Sequence, residues 1–193
     1  MASIEELRMR LERAAGIENT LDRRLWVLAV ITDGLSPTGV RPVLVGGAAV
    51  EFYTLGGYAT KDMDAVLSSE LDISPTMREL GFDKHGRFWI REDIEIALET
   101  PPGPLAGDPE RVTALTIDGL PAYVIGIEDL IVDRLNAFVH WKSAEDGRWA
   151  SRMLDTERDA IDWGYLRRRA REEGIDEAAS PILEGRGDQP ECE

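Results

Sequence analysis

The sequence predicts an α/β chain, a mixed sheet flanked by helices with a helical C-terminal part. Three observations predict it. Short apolar runs of strand length alternate with stretches of helical apolar spacing, in the order helix, helix, strand, helix, strand, helix, strand, then a hairpin. Gly and Pro turns bound the strand candidates. Beyond Ile125 only helical periodicity is left.

Composition sets the outer limits. The chain has 193 residues, enough for a sizeable core. It is 43% hydrophobic and 31% charged, values of a soluble globular protein. The net charge is -15 and the pI about 4.6, which argues against general electrostatic binding of nucleic acid while leaving room for a local basic patch. The single cysteine, Cys192, excludes an internal disulfide and is consistent with a reducing cytosol. Met1 to Arg13 lacks the apolar core of a signal peptide, and no apolar run approaches a membrane span, so the expected compartment is the cytoplasm, with no membrane partner.

The first helix is expected over Ile4 to Ala15. Ser3 caps it and Glu6 completes a capping box. A second runs from about Thr20 to Gly34, capped by Asn19 or Thr20, with Trp26 expected in the core or an interface. Val43-Leu44-Val45 is a buried strand, Ala48 to Tyr53 a helix, and Ala65-Val66-Leu67 a second strand. Pro75 is placed for the first turn of a helix that ends near Gly81. Phe82 to Arg87 is a hairpin or loop, and Phe88-Trp89-Ile90 a strand. From Asp93 to Thr100, Ile94, Ile96 and Leu98 alternate with Glu95, Ala97 and Glu99, the period of a half-buried strand with Glu95 and Glu99 on one face. Val112 to Ile117 and Ala122 to Ile125 flank an Asp118-Gly119 hairpin turn. An apolar-periodic helix follows from Ile127, a break is expected at Ser143 to Asp146, and the last helical region spans Trp149 to Arg171 with a turn near Asp155. The expected division is a core with N-terminal helices over residues 1–126, a helical part over 127–172, and an acidic tail over 173–193 whose last residues are expected to be mobile.

The chemistry concentrates between Val43 and Leu67. Gly46-Gly47 ends the first strand and opens a helix, where backbone N–H groups can approach a phosphate. Asp62 and Asp64 lie two apart at the entry to the second strand, so both carboxylates share a face. Carboxylates that close repel unless a cation lies between them, and oxygen ligands suit a hard cation such as Mg²⁺. Together they suggest a nucleotide–metal site. With two histidines, His85 and His140, and one cysteine at the far end, a zinc site is not expected.

Gly-Gly followed at this spacing by D-x-D entering a strand resembles the nucleotidyltransferase superfamily, the fold of DNA polymerase β. Val45-Gly46-Gly47-Ala48-Ala49-Val50 with Thr60-Lys61-Asp62-Met63-Asp64 resembles its AbiEii-like branch, which includes the nucleotidyltransferase toxins of type IV toxin–antitoxin systems; the resemblance extends to about Leu166. It implies a nucleotidyltransferase-like sheet and transfer of NMP from an NTP to an RNA (tRNA) or protein hydroxyl, with Mg²⁺ or Mn²⁺ as cofactor and an antitoxin as partner. It implies that Asp62, Asp64 and a third carboxylate, Glu95 or Glu99, hold the metal. The P-P-x-P-L run after Glu99 matches relatives of this branch and favours Glu99; strand-centre placement favours Glu95. Gly46, Gly47 and Lys61 would meet the nucleotide. Arg134 stands where the branch has a phosphate-binding lysine, and Arg158-Asp159-Ala160-Ile161-Asp162 resembles its R-D-x-x-D element, bringing Asp159, on one helix face with Asp162, to the nucleotide site. The glutamate in place of aspartate and the arginine in place of lysine are departures, and they set beside the enzyme an alternative: a catalytically degenerate member that binds nucleotide or a partner protein. Arg167-Arg168-Arg169 with Arg171 is the one dense basic cluster, expected chiefly to offset nearby carboxylates.

Overall fold

A computed structural model describes residues 2–60 and 62–184. The chain is a mixed α/β fold with a seven-stranded mixed sheet flanked by helices, followed by C-terminal helices. It divides into two compact units, Met1–Ile125 and Gly126–Glu193.

In the first unit, α1 (Ile4–Arg13) starts at the expected capping box. The Ser3 N–H donates to Glu6 Oε2 at 2.7 Å, and Ser3 Oγ accepts from the Glu6 N–H. α1 buries Leu7 and Leu11. α2 (Thr20–Leu35) is capped by Asn19, and Trp26 is half-buried, its indole N–H donating to the Arg10 carbonyl at 2.8 Å. The strands are β1 (Pro42–Val45), β2 (Met63–Leu67), β3 (Asp83–His85), β4 (Phe88–Arg91), β5 (Ile96–Glu99), β6 (Thr113–Ile117) and β7 (Leu120–Val124). Their order across the sheet is β3-β4-β5-β2-β1-β7-β6. β1 pairs with β7 and β2 with β5 in parallel; the other neighbours are antiparallel. Asp118 and Gly119, both at positive φ, make the two-residue turn between β6 and β7.

Two short helices complete the unit: α3 (Gly46–Tyr53) between β1 and β2, and α4 (Ser74–Glu79), with Pro75 in its first turn. α2 packs along β7, β1 and β6, and α3 along β2 and β1. Alternate strand residues are sealed from solvent: Leu44, Met63, Ala65, Trp89, Ile96, Leu98, Ala122 and Val124 are all at most 4% exposed. That alternation decides which strand residues are left for chemistry.

The second unit holds α5 (Ile127–His140), α6 (Ala144–Thr156), α7 (Trp163–Glu172) and α8 (Asp176–Leu183). The break expected at Ser143 to Asp146 lies earlier, at residues 141–143, because Ser143 Oγ accepts from the Asp146 N–H and starts α6 at Ala144. The turn expected near Asp155 lies at residues 157–162, between α6 and α7, and Asp162 caps α7 by accepting from the Tyr165 N–H. Residues 173–193 were expected to form a tail, but Ile175, Ala179 and Leu183 are buried, which folds 176–183 into α8. Residues 185–193 lie outside the described residues.

Candidate active site

Strand register brings two of the expected acids together. β2 and β5 run parallel with Asp64 opposite Glu99 and Met63 opposite Leu98. Met63 and Leu98 are buried, so the pleat turns Asp64 and Glu99 to the other, half-exposed face. The same row continues outward on both sides, to Phe88 on β4 and to Val45 on β1. Asp62 precedes β2 and is exposed.

The glycine pair sits at the end of this row. Gly46 follows Val45 with φ at +63°, a conformation that favours glycine. A Cβ on Gly46 would stand 2.6 Å from Asp64 Oδ2, and one on Gly47 would stand 2.9 Å from Tyr58 Cε1 and 3.1 Å from Thr60 Cβ. The pair therefore lets the start of α3 lie directly against the Asp64 carboxylate and the chain entering it. Val45, at the N-cap of α3, makes no side-chain cap hydrogen bond, and the first N–H groups of such a helix suit an anion.

A buried ion pair that the sequence reading missed supports the same loop. Arg24 of α2 and Glu51 of α3 are each 6% exposed, with Nη1 and Oε2 2.6 Å apart. Arg24 Nη2 also donates to the carbonyl of Thr60, two residues before Asp62. One guanidinium thus ties α2, α3 and the D-x-D entry together. A signal was present at Glu51 alone, the one charge in the apolar helical stretch from Ala48 to Tyr53, since a buried charge needs a partner; Arg24 follows Asp22 and Arg23 and does not stand out.

The structure separates the two glutamates. The expected strand from Asp93 does not begin there. Glu92–Ile94 form a 3-10 turn, and Glu95 closes it in the left-handed region at φ 55°. β5 starts at Ile96, so Glu95 is off the strand and does not share the Glu99 face. Its carboxylate lies 2.6 Å from Arg23 Nη1 and is 79% exposed. Glu99 remains in the row with Asp64, and Arg87 Nε lies 3.3 Å from its Oε2.

Other expected residues fall elsewhere. Arg134, on α5, is held by Asp133 at 2.5 Å and Asp146 at 2.9 Å. Burial opposes its charge, but these carboxylates outweigh that and raise its pKa above the ordinary arginine value. Asp159 is exposed in the turn between α6 and α7, so it does not share a helix face with Asp162. Lys61 lies outside the described residues. Among the described residues, no three or more His, Cys, Asp or Glu side chains group closely enough to hold a metal ion. None of their helices is long and apolar enough to cross a membrane. The arginines of α7 are largely answered locally: Arg169 meets Asp129, Glu172 and Glu173, and Arg168 meets Glu172 and the Tyr165 ring.

In comparison with known proteins, no family model matches the chain, and no curated protein matches it at a significant level.

Proposed function

We propose that the chain is a metal-dependent nucleotidyltransferase of the AbiEii-like kind, moving NMP from an NTP to a hydroxyl acceptor. One observation carries this most directly: Gly46, bare of a Cβ, lies against the Asp64 carboxylate, while Asp64 stands cross-strand from Glu99. Backbone donors for phosphate and acids for a cation thus meet at one end of β1 and β2. Asp62, Asp64 and Glu99 would hold Mg²⁺ or Mn²⁺. Their donor chemistry, all oxygen with no histidine or thiolate, fits a hard cation, though the three are not gathered around one. Such a cation supplies charge neutralisation on the phosphates and polarisation of the acceptor hydroxyl. Gly46 and Gly47 would admit the phosphates, with Lys61 as an added cation.

The acceptor side is suggested by a cavity of about 530 Å³ that opens one residue beyond Glu99. Ser68, Ser69, Thr100, Pro101 and Pro104 are among its walls, and its one charged described residue is Glu70. A polyanion gains nothing there, which favours a protein hydroxyl over an RNA end. The degenerate alternative has its own support, since Arg134 is already satisfied by two carboxylates.

Calorimetric titration of each NTP, with and without Mg²⁺, into wild type, Asp62→Ala/Asp64→Ala, Glu99→Gln and Glu95→Gln tests the proposal. We expect Mg²⁺-dependent binding that the double variant abolishes, Glu99→Gln weakens and Glu95→Gln leaves intact. Absence of any NTP binding at millimolar concentration refutes the proposal. Binding without transfer to any protein or RNA acceptor selects the degenerate alternative.

A further inference from the structure

On the nucleotidyltransferase reading above, we propose that Arg87 is a polyphosphate-binding residue that Glu99 holds in reserve. Its guanidinium stands in for the cation in the protein alone, and passes to the nucleotide phosphates when a divalent cation takes the carboxylate.

Geometry places Arg87 at the open end of the acid row. Phe88, Glu99 and Asp64 face one another across three adjacent strands, on the half-exposed face. Arg87 precedes Phe88 and its Cζ lies 4.9 Å from the centre of that ring. From there Nε reaches Glu99 at 3.3 Å. Gly46 closes the opposite end of the row, beyond Val45. A phosphate chain held over Asp64 and Glu99 would therefore lie between backbone N–H groups at one end and a guanidinium at the other.

Electrostatics gives the exchange its direction. Two carboxylates directly opposite each other on paired strands repel, and Arg87 offsets one of them. The Arg87 side chain is 71% exposed and that of Glu99 20%. Ion pairs this open to water are weak and exchange readily. A divalent cation competes for Glu99 with twice the charge. Once displaced, the planar guanidinium stays anchored over Phe88, where it suits phosphate oxygens. Arg134, by contrast, is bound by two carboxylates and is less ready to move.

The test uses the full chain as wild type, Arg87→Ala, Arg87→Lys and Lys84→Ala. Lys84 is a control with the same charge change: it sits 4.6 Å over the Trp89 ring, and Trp89 belongs to the buried face. Free Mn²⁺ is followed by its paramagnetic resonance signal without nucleotide, and binding of each NTP is followed calorimetrically at saturating Mn²⁺. Circular dichroism checks that every variant folds. For Arg87→Ala we expect Mn²⁺ to bind about 2- to 5-fold tighter, the size of a lost exposed ion pair. NTP should bind about tenfold or more weaker, the size of a lost charge-assisted contact. Arg87→Lys should recover part of the NTP affinity, and Lys84→Ala should change both by less than twofold. These opposite signs are the signature. If NTP affinity in Arg87→Ala stays unchanged or rises with Mn²⁺ affinity, Arg87 is a counter-ion only and the proposal falls. It also falls if Mn²⁺ affinity does not rise. Failure of wild type to bind any NTP removes the nucleotidyltransferase assignment and this proposal together, whereas normal wild-type binding with an inert Arg87 removes this proposal alone.

Discussion

Replacing Gly46 by alanine should destabilise the protein more than the same change at any open glycine turn. Two costs are separable. Gly46 has φ at +63°, and an L-residue held in that region costs about 1–2 kcal/mol. The new Cβ would also stand 2.6 Å from Asp64 Oδ2, closer than real Cβ contacts, and forcing a group into a filled site costs about 1–3 kcal/mol. The sum is roughly 2–5 kcal/mol. Gly39 is the internal control: its φ is +73°, but a Cβ there would meet nothing within 4 Å. Gly39→Ala should therefore cost only the conformational share, about 1–2 kcal/mol. Urea unfolding of Gly46→Ala, Gly39→Ala, Asp64→Ala and Gly46→Ala/Asp64→Ala gives the values, and the cycle isolates the contact. In the Asp64→Ala background the Gly46 substitution should fall to the Gly39 level. Equal costs for the two single glycine variants, or no relief in the double variant, would refute the claim that Gly46 is glycine because Asp64 lies against it.

Arg24→Met should lower stability by about 3–5 kcal/mol, because Glu51 is left buried without its partner; Arg24→Met/Glu51→Leu should recover much of that in the same unfolding assay. Gly147→Ala should destabilise although alanine gains about 1 kcal/mol of helix propensity, since the Cβ would meet Phe138 Cδ2 at 2.6 Å; a rise in thermal midpoint would contradict this. Tyr165→Phe should cost about 1.5–3 kcal/mol, the value of a bond to a charged group, because the hydroxyl donates to the 2%-exposed Asp129 at 2.9 Å. The Glu6 pKa is lowered, first by the Ser3 backbone N–H and then by its hydroxyl, so the capping box stabilises α1 above the unfolded-state pKa and the effect is lost as pH falls through the lower folded value. Ser3→Ala should weaken that acid-side dependence only in part, since it removes the hydroxyl and keeps the backbone N–H, and acid unfolding of the variant checks it.

Most of the architecture was legible because its signals are local. The capping box at Ser3 and Glu6, the Asn19 cap and the Asp118-Gly119 turn each state a boundary within four residues. The apolar runs around Val43 and Ala65 likewise declare buried strands. What escaped was set by tertiary pairing. α8 escaped because Ile175 before it and Ala179 and Leu183 within it count only once a partner surface exists to bury them. Arg24 and Glu51 lie 27 residues apart, and only packing α2 against α3 makes them one ion pair.

The two glutamates show why period alone could not choose between them. Alternation over Ile94, Ile96 and Leu98 is what a strand would give, and all three side chains are indeed buried. Yet Ile94 is buried from a 3-10 turn, and the left-handed residue after it resets the pleat. Only from Ile96 onward does burial alternate as a strand property. A break in backbone conformation thus preserved the apolar rhythm while removing Glu95 from the strand. Glu95, closing that turn, pairs with Arg23 of α2 instead. Glu99, the last residue of β5, is fixed instead by the register with Asp64. A side chain that faces Asp64 across the sheet must come from a strand paired with β2 and from a position in phase with it. β1 offers Val45 there and β5 offers Glu99, so Glu99 is the carboxylate this sheet supplies.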